Sequence, residues 1–106
     1  MEKITVDYID KQIVRASFDK ISGLTKSEYE ELREIAETAT PDRKLFGRLD
    51  EQTSFWRQNM IDYRTGERIV VDAVTMPTEL FIDFMIAARK ALNARDADDY
   101  AKKLRS

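Results

Sequence analysis

Two short groups of residues in this sequence have side chains and spacings that catalysis or metal binding could use. Asp96, Asp98 and Asp99 could hold a cation, but the glycine and the distant glutamate of a calcium loop are missing. Ser17 and Lys20 have the Ser-x-x-Lys spacing of an acyl-transfer nucleophile, yet no companion motif follows them. We therefore interpret the three carboxylates as helix-start residues and the Ser–Lys pair as a chance match.

The residue types that most often carry out catalysis are missing from the chain. Its 106 residues include no histidine and no cysteine. The sequence therefore lacks the usual general base, the commonest metal ligand, any thiol nucleophile and any disulfide. We expect a non-catalytic protein with no cofactor and no metal, and we infer no small-molecule substrate.

Composition and charge place the chain among single, soluble domains. Residues 1–106 have the length of one domain, and 42% hydrophobic residues can form a modest core. The 18 basic and 20 acidic residues give a net charge of −2, which creates no field to attract nucleic acid. No apolar run reaches the roughly 20 residues of a membrane span, and the first residues lack a secretory signal. We expect a cytoplasmic protein.

Apolar spacing and capping signals predict most of the chain to be helical. A first helix over residues 5–22 would end at Gly23, although a short strand around residues 4–8 also fits the alternation. Thr25 and Glu28 form a capping box for a second helix over 26–38. Thr40 would cap a third helix that ends near Asn59, and a fourth would begin at Pro77.

Two further elements complete the predicted fold, which is α+β and mainly helical with four to five helices. Residues 60–63 and 68–74 are rich in β-branched side chains, and the loop between them contains Gly66, so they predict a β-hairpin over about residues 60–74. A short last helix would follow Asp96, with one apolar side formed by Ala97, Tyr100, Ala101 and Leu104.

The order of three helices, a hairpin and a helix resembles a winged helix-turn-helix. Ala36, Ala39 and Pro41 stand at the predicted helix crossing and turn, and Phe46 and Leu49 have the offsets of a recognition helix. The resemblance implies a DNA-binding regulator. Its major-groove or phosphate contacts would be Arg43, Lys44, Arg48 and Arg57, and its minor-groove contacts Arg64 and Arg68.

Other residues disfavour that alternative. The exposed side of the second helix is acidic, which would repel phosphate. Asp42, Asp50 and Glu51 reduce the net positive charge of the third helix. Thr40 also stands where such turns usually have glycine. Nucleic acid is therefore the less favoured partner.

The leading hypothesis comes from the fourth helix, whose residues 80–88 are apolar except for Asp83. A helix that is apolar nearly all round is buried on several sides, either as the central core helix or in a subunit contact. We predict a protein–protein interaction protein, such as an adaptor, assembly factor or inhibitor, that binds a protein partner or a second copy of itself. The predicted contact residues are Phe81, Phe84 and Met85, with Phe55 and Trp56.

Overall fold

The computed structural model describes residues 3–18, 21–59 and 73–105. These parts of the chain form four helices and two strands, so the prediction of a mainly helical fold is confirmed. In chain order the elements are α1 (Val6–Ala16), β1 (Ile21–Thr25), α2 (Lys26–Ala39), α3 (Arg43–Asn59), β2 (Ala73–Pro77) and α4 (Thr78–Arg105).

Side chains at the helix starts accept hydrogen bonds from the free backbone N–H groups there. The predicted capping box is present at α2, where the hydroxyl of Thr25 accepts from the N–H of Glu28 and the Glu28 carboxylate accepts from the Thr25 N–H. At α3 the prediction was wrong, because Asp42 rather than Thr40 accepts from the first turn, at 2.9 Å from the N–H of Lys44. Thr40 instead follows the last residue of α2.

The first helix is shorter than predicted. It ends at Ala16, and Ile21–Thr25 is a strand, so Gly23 lies within β1 and does not end a helix. β1 pairs antiparallel with β2, with Gly23 opposite Thr75 and Leu24 opposite Val74. In β1 the backbone N–H and C=O groups are therefore satisfied by the partner strand. In a helix continued to residue 22 they would have to bond within the helix itself.

The predicted hairpin and winged-helix arrangement are not shown. Residues 60–72, which include most of both predicted arms, lie outside the described residues. The end of the second arm is described, and there Ala73 and Val74 belong to β2 and pair with Thr25 and Leu24. Among the described residues the sheet therefore joins two strands that are distant in sequence, with α2 and α3 between them.

The first half of α4 is the centre of the core. It packs against α1, α2 and both strands. The ring of Phe84 lies 5.5 Å from that of Tyr29 on α2, at an interplanar angle of 34°. On the other side, the Nε of Arg89 donates to the Asp10 carboxylate of α1 at 2.6 Å. The buried residues of α4 are Leu80, Phe81, Phe84, Met85, Ala87, Ala88, Ala91 and Leu92, which we call the core face.

The second half of α4 continues without a break, so the prediction of a separate helix after Asp96 was wrong. Residues 93–105 are exposed apart from the half-buried Ala101, and we call them the tail of α4. Thirteen helical residues extend about 20 Å. The chain measures 61 × 26 × 25 Å. Its radius of gyration of 15.9 Å exceeds the roughly 13 Å of a compact domain of about 100 residues. The tail therefore projects from the core.

Candidate functional site

The predicted contact residues of α4 lie inside the core of the chain. Phe81, Phe84 and Met85 are at most 1% exposed. A partner cannot reach them while the chain keeps this fold, because α1, α2 and the sheet already cover that side of the helix. The side chains of the other two predicted contacts, Phe55 and Trp56, lie outside the described residues.

The side chains named for DNA contact are only partly described. Arg43, Lys44 and Arg48 are exposed on α3. The side chain of Arg57 and the whole of Arg64 and Arg68 lie outside the described residues. The structure thus places four of the six cations on α3, three of them with exposed side chains, and DNA binding stays a prediction.

A cleft of about 420 Å³ lies between α2 and α3, beside a small polar network. Asp50 is the centre of this network: one carboxylate oxygen accepts from the Tyr29 hydroxyl at 2.9 Å, and the other lies 2.8 Å from Nη2 of Arg33. Among the residues that the structure describes, nothing would lie within 4 Å of a Cβ at Gly47, so no described backbone approaches it closely. The cleft is lined by Arg33, Glu37, Pro41, Arg43, Phe46, Gly47 and Asp50.

The network is built to hold α2 against α3. Burial, followed by the hydrogen bond to Asp50, raises the pKa of Tyr29 to about 12. A phenol with that pKa stays protonated at neutral pH and donates to Asp50, so it does not act as a base. The charges that line the cleft are of both signs, and Arg33 already pairs with Glu37 and Asp50, so the cleft favours no particular charge in a ligand.

The clearest unpaired surface is an apolar stripe along the tail of α4. Ala97, Tyr100, Ala101 and Leu104 recur at the i, i+3, i+4, i+7 spacing of one helix side, and we call them the tail stripe. Tyr100 is 64% and Leu104 is 71% exposed. Single exposed apolar residues are common on proteins, but two large ones one turn apart on a projecting helix form a continuous surface.

The tail stripe and the core face lie on opposite sides of α4. At 100° per residue the centre of the stripe is roughly 170° around the helix from the centre of the core face. Ile86, which is 52% exposed, points to the same outer side as Leu104. α4 therefore has two apolar sides, one that fills the core and one that faces solvent. The sequence signal for the second side was the spacing of the stripe itself.

Comparisons with protein-family models, with curated proteins and with solved structures found no match for this chain. Among the described residues, no helix combines the length and the apolar character that crossing a membrane requires.

Proposed function

We propose that this chain is a non-catalytic interaction protein that self-associates through the tail of α4. The observation that carries the proposal is the exposure of Tyr100 and Leu104 on a helical segment outside the core. Covering apolar area removes it from water, which stabilises a complex by about 25 cal/mol per Å² of area before the cost of association is subtracted. The tail stripe presents this apolar area along one side of a helix, which is the arrangement through which amphipathic helices bind their partners.

The limited helical stability expected of the tail also supports self-association. A helix of fewer than about 12–15 residues is marginal in water, because its nucleation cost is offset by few hydrogen bonds. The tail has this length and, beyond Leu92, only half-buried Ala101 is not exposed. The core-packed first half of α4 supplies a nucleus, and contact with another surface along the tail stripe would stabilise the remaining turns.

Sedimentation equilibrium over a concentration series tests the proposal. The wild-type chain is expected to exceed its monomer mass of 12.4 kDa as concentration rises. The double variant Tyr100→Ala/Leu104→Ala should stay at the monomer mass, because alanine keeps the helix propensity and removes the apolar contact.

The matched control removes exposed apolar area elsewhere. Val14 and Phe18 are 61% and 86% exposed, and neither belongs to α4. The double variant Val14→Ala/Phe18→Ala should self-associate as the wild type does. A wild-type chain that stays monomeric to about 1 mM, where even weak association becomes visible, would contradict the proposal. Equal losses of self-association in the tail variant and in the control variant would contradict the proposal as well.

A further inference from the structure

We infer that the tails of two copies pair side by side in antiparallel orientation, with tail stripe against tail stripe. The inference rests on the proposed self-association and adds its geometry. The second copy is the occupant because residues 96–105 of the tail are complementary to themselves: their charged residues divide into an acidic half followed by a basic half. The acidic half has Asp96, Asp98 and Asp99, and the basic half has Lys102, Lys103 and Arg105.

The acidic half of the tail lies far from the start of α4. Carboxylates stabilise the first turn of a helix, where the helix dipole is positive. Since α4 begins at Thr78, the three aspartates lie about five turns further along, in the sixth turn. The salt bridge from Asp98 to Lys102 joins side chains that are both about 70% exposed, and such pairs contribute little and exchange readily.

The antiparallel orientation follows from the charged residues along the two edges of the tail stripe. Helical geometry puts Asp96 and Lys103 on one edge and Asp98 and Arg105 on the other. In an antiparallel pair each edge meets the same edge of the second copy, so Asp96 faces Lys103 of the second copy and Asp98 faces its Arg105. In a parallel pair opposite edges meet at the same height, so aspartates face aspartates and cations face cations, which is destabilising.

The same arrangement also matches side-chain size along the stripe. If the two-fold axis passes between residues 100 and 101, Tyr100 of one copy meets Ala101 of the second copy. Ala97 of one copy then meets Leu104 of the second copy, so a small residue faces a large one in each layer. Small residues opposite large ones let two helices approach closely and interdigitate.

The overlap between the two paired tails is short, which limits the expected affinity of the dimer. Residues 96–105 span about 15 Å of helix, so the interface lies below the roughly 1,200 Å² of a standard stable complex. We expect a weak dimer that forms at high micromolar concentration, with the two cores at opposite ends of the paired tails.

Cysteine cross-linking tests the orientation, and the chain has no cysteine of its own to interfere. The matched variants are Ala97→Cys and Ala101→Cys, both small changes within the tail stripe. In the antiparallel pair the two copies of residue 101 lie next to the axis, whereas the two copies of residue 97 are about 10 Å apart along the helices. That offset exceeds the reach of a disulfide. Under mild oxidation Ala101→Cys should form a disulfide dimer at least tenfold faster than Ala97→Cys.

Each other outcome overturns a distinct part of the account. Equal and rapid cross-linking of both variants would show parallel tails, which contradicts this inference but keeps the proposed self-association. Cross-linking of both no faster than of an Ile86→Cys control, together with a monomer mass, would contradict the proposed function itself.

Ile86 tests the register, since it lies on the outer side of α4 beyond the proposed overlap. Ile86→Ala should leave the dissociation constant of the dimer unchanged within about twofold, while Leu104→Ala should raise it at least tenfold. If both variants raise it equally, the helices overlap over a longer stretch and the proposed register is wrong.

Discussion

Replacing Phe84 by alanine should destabilise the chain more than most single substitutions. Phe84 is 0% exposed, lies on the core face of α4 and packs its ring on Tyr29. Truncating a fully buried phenylalanine costs about 3–5 kcal/mol, because the transfer free energy of the ring is lost and a cavity remains. A domain of this size has a free energy of unfolding of about 5–15 kcal/mol, so the variant loses a large share of it.

The assay is urea denaturation followed by the helical circular dichroism signal, with Ile86→Ala as the matched control on the same helix. The control removes a side chain that is 52% exposed and should change the free energy of unfolding by less than about 1 kcal/mol. If Phe84→Ala does not fold, Phe84→Leu should still lower the denaturation midpoint. Equal effects of Phe84→Ala and Ile86→Ala would refute the assignment of the two sides of α4.

Three further predictions concern the other helices. Gly47→Ala should stabilise the chain by about 0.5–1 kcal/mol in the same denaturation assay, because α3 gains helix propensity and the new Cβ meets no atom of the described residues within 4 Å. A loss of stability would contradict this. Thr25→Ala should cost about 1 kcal/mol through loss of the α2 cap, and no change would show that Glu28 alone completes it. Burial raises the pKa of Tyr29 to about 12 from its ordinary value of 10.0, so its contribution to stability is fully present below pH 10 and is lost as pH rises from 10 to 12. Phenolate absorbance should therefore include a step near pH 12 that disappears in Tyr29→Phe, and the absence of such a step in the wild type would contradict the burial.

Local signals in the sequence predicted α2 well. The capping box, the apolar spacing and the buried face of Tyr29, Leu32, Ile35 and Ala36 all follow from residues within the helix itself. β1 was missed because its partner strand lies about fifty residues further along the chain. Gly23 between two helical patterns is compatible with a helix end, and only the pairing with β2 selects the strand.

The two halves of α4 show that apolar residue types alone do not separate core residues from exposed ones. Phe81, Phe84 and Met85 were predicted as contact residues from their types, but a core helix requires the same types. Asp96 resembled the start of a new helix, and the structure shows that the existing helix continues through it. Once that continuity is known, the spacing of Tyr100 and Leu104 identifies an outer apolar side.

A dilution series of amide nitrogen–proton NMR spectra tests self-association through the tail of α4, because it reports on each residue of the intact chain. We expect concentration-dependent shifts in the amides of residues 96–105, with little change at Ile86, Val14 or Phe18. Shifts centred on α1 or α3, or spectra that do not change up to millimolar concentration, would contradict self-association through the tail of α4.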